Sequence, residues 1–171
     1  MPMKIVVLED NRDRCQAMRE CLTERFYPYE ALFFAAPEPM IRYLDEHLDE
    51  AICISLDHDM ELVEGSDGQL HDPGSGWEVA EFLAGRTSQC PVILHTTSAL
   101  AAQRMQTTLA GAGWTVHRVA PWGDLAWVRA DWFRTVRRAV LETARPLTAP
   151  NETDGRNSPA VRQTDDRERG R

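Results

Sequence analysis

Three continuous apolar runs constrain this chain most: MKIVVL at residues 3–8, AICISL at 51–56 and PVIL at 91–94. A strand with one solvated face alternates apolar and polar residues, whereas a strand apolar at nearly every position is covered on both faces. Between these runs lie stretches of helical periodicity. Cys15, Met18, Leu22 and Phe26 share one face of residues 11–26. Pro37 suits a helix's first turn, and Met40, Ile41, Leu44 and Leu48 carry the apolar stripe behind it. GWEVAEFLA at 76–84 reads as a short helix, and residues 99–110 as another, stopped by Gly111-Ala112-Gly113. A long helix is predicted over 125–144, with Val128, Trp132, Val136 and Val140 in register. Two more strands fall at 30–35 (EALFFA) and 114–119. Strand and helix thus alternate five times, which predicts an α/β fold: a doubly wound, five-stranded parallel sheet with helices on both faces.

The 171 residues suffice for one domain, expected over 1–145, plus an appendage. From residue 146 to 171 large apolar side chains nearly vanish and Pro, Gly, Asn, Asp and Arg take over, which predicts a disordered tail, too short and polar for an output domain. Residues 57–75 form a long polar loop. Within it Gly65-Ser66-Asp67-Gly68 is a turn signal between short flanks, so a hairpin-like insertion at about 60–73 is expected to stand over the strand ends, the alternative being a plain surface loop.

A net charge of -8 repels phosphate backbones and argues against duplex DNA as a partner. No apolar run approaches a membrane span, and the N-terminus lacks a signal-peptide core. Cys15, Cys21, Cys53 and Cys90 show no CxxC spacing and read as scattered core thiols in a reducing, cytoplasmic setting.

In open α/β sheets ligands bind beyond the carboxyl ends of the strands. Reactive side chains concentrate there. Glu9 and Asp10 follow the first strand, Asp57, His58 and Asp59 the third, His95, Thr96, Thr97 and Ser98 the fourth, and Ala120, Pro121 and Trp122 the fifth. A purely structural sheet has no need of carboxylates, imidazoles and hydroxyls on successive strand ends.

The LED that ends strand one, the Asp that ends strand three, PVILHTT and the Pro after strand five together resemble the receiver domain of response regulators, over residues 3–144. The resemblance implies a flavodoxin-like sheet of order 2-1-3-4-5. It also implies that Glu9, Asp10 and Asp57 hold Mg²⁺ (or Mn²⁺), that Asp57 accepts phosphate, and that Thr96 is the switch hydroxyl. One departure stands out: the Lys that receivers carry before that Pro is Ala120 here, and the chain's one Lys, Lys4, opens strand one at the far end of the sheet. Arg14 or Arg118 is the available stand-in, but a guanidinium is a bidentate fork rather than a compact point charge. LDHDM, GSGWEVAEFL and ILHTTSALAAQRMQTTLAGAGW resemble, more closely, the cyclic-phosphate-processing receiver-like family, in which an Asn is expected where Ser98 stands.

Each candidate has a plainer alternative. Asp10 could cap the helix beginning near Asn11 instead of binding metal. Asp57 and Asp59, two residues apart in extended backbone, point the same way, and two such carboxylates call for a cation or a shared proton. In the implied order strands three and four are neighbours, about 4.8 Å apart, so His58 and His95 would border one pocket as general base and general acid. This requires the chain to turn directly after Asp57, since His58 otherwise alternates away. Asp59 would complete the metal shell or orient an imidazole. Thr96 or Thr97 would donate to a phosphate oxygen, with Ser98 beside them. Trp122 would stack on a base, or else pack in the core with Trp77, Trp114, Trp127 and Trp132. His47, His71 and His117 read as surface or loop residues. The leading expectation is an atypical stand-alone receiver-like domain that binds a divalent metal and a phosphate-bearing small molecule or RNA end, with metal-assisted opening of a cyclic nucleotide phosphate as its chemistry. The alternatives are a response regulator phosphorylated on Asp57 by a histidine kinase, and a non-catalytic interaction module.

Overall fold

The structure, a computed structural model, describes residues 3–25 and 29–143. The expected tail at 146–171 and the end of the first helix at Phe26 lie outside these residues. The central sheet contains β1 (Lys4–Leu8), β2 (Glu30–Phe34), β3 (Ala51–Leu56), β6 (Val92–Leu94) and β7 (Val116–Arg118). Their order is β2-β1-β3-β6-β7, and every neighbouring pair is parallel. This is the flavodoxin-like 2-1-3-4-5 order, with the two hairpin strands β4 (Val63–Glu64) and β5 (Leu70–His71) counted between the third and fourth sheet strands.

The continuous apolar runs behave as their composition requires. β3 is buried at all six positions, because each alternate residue meets a different layer. Ile5, Val7, Cys53 and Ile93 face one cluster, closed by α1 (Arg12–Arg25) and α5 (Phe133–Thr143) with Met18, Trp132 and Val136. Val6, Leu8, Ile54 and Leu56 face the other, closed by α2 (Pro37–His47), α3 (Gly76–Ala84) and α4 (Ala99–Gly111) with Leu44, Leu83 and Met105.

Three expectations are refined. The fifth sheet strand is only Val116–Arg118, because Trp114 leaves the strand path, buries in the second cluster and donates its indole N–H to the Leu83 carbonyl at 2.9 Å. The last helix opens on a π-helical turn, Val128–Trp132, which carries Trp132 inward before regular helix begins at Phe133. Helix α1 is capped by Asn11, whose Oδ1 accepts the N–H groups of Asp13 and Arg14 at 3.1 and 3.0 Å, so capping is not the task of Asp10.

In the loop after β3, Val63 pairs with His71 and Glu64 with Leu70. Gly68 takes φ 73, a left-handed conformation open to glycine at no steric cost, and closes the turn by donating to the Gly65 carbonyl at 3.0 Å. The hairpin leaves Leu62, Val63 and Leu70 more than half exposed. The loop then returns to α3 through Ser75 and Glu78, which form a capping box. Among the described residues no helix is long and apolar enough to cross a membrane.

Candidate metal and phosphate site

The sheet register selects which strand-end residues meet. Val7 lies beside Ser55, and Ser55 beside Ile93. Two residues further along each strand come Glu9, Asp57 and His95, all on the face that carries α1 and α5. The ladder persists one step beyond the strands: Glu9 N–H donates to the Phe34 carbonyl at 2.9 Å, Asp57 N–H to Leu8 at 3.0 Å and His95 N–H to Leu56 at 2.9 Å. The three side chains are buried, and each offers a ligand atom within 4.8 Å of the others.

His95 is completely enclosed. Its Nδ1 lies 2.8 Å from Ser55 Oγ, which also accepts the Trp132 indole N–H at 2.9 Å, and its ring stacks on Trp127 at 6.0 Å between centroids. These contacts aim Nε2 at Glu9 Oε2, 3.4 Å away, while that nitrogen itself makes no hydrogen bond. Were a metal bound, Nδ1–H donated to Ser55 would leave the Nε2 lone pair for it; this is how a polar neighbour orients a metal-binding imidazole. Two carboxylates and one imidazole fit a divalent ion that accepts nitrogen beside oxygen, and depart from the all-oxygen preference of Mg²⁺.

The two carboxyls are tuned apart. Burial pushes Glu9 upward, but the His95 contact and charge, the Asn11 N–H at 2.9 Å and Arg14 outweigh it and hold Glu9 below its ordinary value. Burial raises Asp57, the Glu9 charge adds to this, and His95, the His58 N–H at 2.6 Å and Arg14 only partly compensate. Arg14 bridges the pair, its Nη1 lying 2.9 Å from Asp57 Oδ2 and 3.3 Å from Glu9 Oε2. Behind them Cys15 donates its thiol to the Glu9 carbonyl at 3.2 Å, and burial together with the Glu9 charge pushes that thiol up to about 11, so it is a poor nucleophile. A cavity of about 300 Å³ opens beside the acids, lined by Glu9, Asp10, Arg12, Cys15, Arg19 and Phe33.

The remaining strand-end residues go elsewhere. Asp10, expected among the metal ligands, is outside the cluster, because its Oδ2 accepts the N–H of Glu61 at the root of the hairpin loop. His58 and His95 do not share a pocket edge as expected: alternation sends His58 to the other side, toward Glu78 at the start of α3, where its Nε2 is 3.9 Å from Asp59 Oδ1. Among the described residues no hydrogen bond or ion pair joins His58 to the cluster's side chains, although its backbone N–H holds Asp57. Thr96 is buried; its hydroxyl donates to Asp59 Oδ2 at 3.4 Å and accepts from Ser98 N–H at 3.1 Å. Ser98 Oγ caps α4 through the Ala101 N–H. Thr97 is exposed. Trp122 is half exposed and donates its indole N–H to Asp131. Ala120 is exposed where receivers place Lys, and Lys4 pairs with Glu50 at 2.7 Å at the opposite end of the sheet.

Ser55 escaped the sequence reading, and so did the bond to it from Trp132, which was placed in the core but given no part at the site. A hydroxyl inside the apolar AICISL run, two residues before Asp57, was the available signal for Ser55.

The model of the family described as cyclic-phosphate processing receiver domain matches residues 4–111, a stretch containing Glu9, Arg14, Asp57 and His95. Among solved structures the chain is similar to a response regulator receiver domain from Rhodospirillum rubrum, at 15% identity and TM-score 0.58 over 84% of this chain and 96% of that one. It is also similar to a phosphorylated cyanobacterial phytochrome response regulator, RcpA, at 17% identity and TM-score 0.62 over 85% and 98%. The Mn²⁺-bound form of response regulator Rcp1 aligns at 16% identity and TM-score 0.55 over 80% and 91%. Likeness at these identities establishes the fold. No curated protein matches the sequence.

Proposed function

The chain belongs to the cyclic-phosphate processing receiver domain family, and from that premise we propose that its strand-end site binds a divalent metal and opens the cyclic phosphodiester of a nucleotide or RNA end. The observation that carries this reading is the buried Glu9–Asp57–His95 cluster, whose ligand atoms lie within 4.8 Å of one another and whose His95 Nε2 lacks a hydrogen bond. These three residues would hold Mn²⁺ or Mg²⁺. When bound, such an ion polarises a phosphoryl oxygen and activates water.

Ring opening forms a bond from water oxygen to phosphorus and breaks the bond from phosphorus to one ribose oxygen. One proton leaves the water, and one reaches the departing oxygen. The two histidines divide the work differently from a symmetric acid–base pair. His95 is sealed from solvent and holds the cluster. His58, with its side chain 25% exposed, lies on the other side of Asp57; to serve as proton carrier its Nε2 would leave Asp59 Oδ1, 3.9 Å away, for the ligand, take the proton from the water and return it to the departing ribose oxygen. Thr97 donates to a phosphate oxygen near the start of α4, and Trp122 offers a stacking face to a base. Ser98 contributes through the cap it forms rather than through its own contact with the ligand. Four free cysteines suit a reducing, cytoplasmic setting.

The response-regulator reading, with Asp57 phosphorylated by a histidine kinase, is disfavoured by Ala120 and by the tie of Asp57 Oδ2 to Arg14. The deciding experiment incubates the full chain with a nucleoside 2',3'-cyclic phosphate and Mn²⁺ or Mg²⁺, and in parallel with acetyl phosphate. Metal-dependent turnover is expected, falling by roughly 10²-fold in His58→Ala, the scale of lost acid–base help. His95→Ala should lose metal affinity as well. Robust Asp57-dependent labelling without turnover would instead assign a phosphorylation switch, and metal binding with neither activity would assign an interaction module.

A further inference from the structure

The site already contains a cation, and it is not the expected lysine. Arg14 sits in the first turn of α1, where its backbone N–H donates to Asn11 Oδ1 at 3.0 Å. Its Nη1 alone serves both carboxylates, 2.9 Å from Asp57 Oδ2 and 3.3 Å from Glu9 Oε2. Among the described residues no other Arg or Lys contacts either acid, and Arg14 Nε and Nη2 make no hydrogen bond or ion pair. The side chain is 30% exposed, and these free donors are not among the buried unpartnered atoms, so they are open to solvent. A guanidinium with one nitrogen committed and its other edge open has the spacing to take two phosphate oxygens. The oxygens that Nη1 occupies are also the ones a divalent ion needs.

We propose that Arg14 is the phosphate-recognising residue of this site, and that its guanidinium and a divalent cation contend for Asp57 Oδ2 and Glu9 Oε2. With a metal on those oxygens, Arg14 would turn outward onto the phosphate, so one side chain would both offset the acids' charge when metal is absent and supply the positive charge that Ala120 cannot. The proposal shares its metal site with the cyclic-phosphate reading and depends on the rest of that reading only for the organic part of the ligand.

The test uses the full chain, with Mn²⁺ alone and then inorganic phosphate added to Mn²⁺-saturated protein, both followed by calorimetry. Arg14→Gln frees the carboxylates and removes the fork. Mn²⁺ affinity should rise and phosphate affinity fall, each by about tenfold, the scale of one charge-assisted contact. A structural salt bridge would instead weaken both together, and that result, or unchanged phosphate affinity, overturns the proposal. Should Arg14→Gln fail to fold, Arg14→Lys carries the same test. It keeps a charge on the acids but loses the fork, so phosphate affinity should drop with Mn²⁺ affinity near that of the unaltered protein, and unchanged phosphate affinity is again fatal. If the protein turns over no cyclic phosphate yet the opposed shifts appear, the functional reading fails and the role of Arg14 stands. If turnover is intact and Arg14→Gln shifts neither affinity, the reverse holds.

Discussion

At the scale of single residues, the two buried acids contribute to stability with opposite signs. Asp57 is raised, by burial first and then by the Glu9 charge, so its contribution favours the fold below the ordinary Asp value and is lost as pH climbs through the raised one. Glu9 is lowered despite its burial, because His95, the Asn11 N–H and Arg14 outweigh it; its contribution is present above the ordinary Glu value and is lost as pH falls through the lowered one. Near neutrality an ionised Asp57 is therefore a penalty to the fold. Asp57→Asn keeps an oxygen for Arg14 but sets its amide against the His58 N–H that Oδ1 accepts, so the test lies in the pH profile: relative to the unaltered protein, the variant should gain stability from acid pH, where Asp57 takes up a proton, to pH 7. Urea midpoints at the two pH values check this, and a relative stability that grows with acidity would contradict it. The opposed behaviour of the two acids was not legible in LED and LDHDM, because it depends on partners 43 or more residues apart, Arg14 for Asp57 and His95 for Glu9.

At the scale of elements, the end of β3 and the start of α3 touch through their backbones. A Cβ on Gly76 would stand 1.9 Å from the Asp57 carbonyl oxygen, and the Gly76 N–H donates to the His58 carbonyl at 3.1 Å. Gly76→Ala must push the two elements apart, with an expected loss of about 2 kcal/mol and a displaced His58. Gly111→Ala, at the end of α4 with nothing within 4 Å of its added carbon, should change stability by no more than about 0.5 kcal/mol, in either direction. Equal losses in chemical denaturation would refute the contact. The helices and strands themselves were largely legible, since apolar runs and helical stripes are local patterns. Where the reading slipped, a tertiary contact won: the bond from Trp114 to Leu83 shortened the fifth sheet strand, and the Trp132–Ser55 bond accompanies the π-helical opening of the last helix.

At the scale of the whole molecule, two hydrophobic clusters press on the two faces of one sheet, and alternate residues of β1 and β3 belong to each. Neither layer can leave without exposing the strands that the other needs, so the domain should unfold in a single transition. Trp127 and Trp132 report one cluster and Trp114 the other, so tryptophan fluorescence and far-UV circular dichroism should give coincident urea curves; separate midpoints would mean that the layers unfold independently.

The sequence by itself determined the α/β class, the parallel five-stranded order through its family resemblance, and the concentration of acids, imidazoles and hydroxyls at the strand ends. The class and the strand-end chemistry follow from composition and period, which are local; the strand order follows from the resemblance alone. Only the tertiary structure decided that Glu9, Asp57 and His95 form one buried group, with Asp10 tied to the hairpin root and His58 and Thr96 gathered around Asp59. A strand alternates its side chains every residue, so the choice of set depends on the register between strands and on where each chain turns after its strand, and both are settled by packing between distant segments.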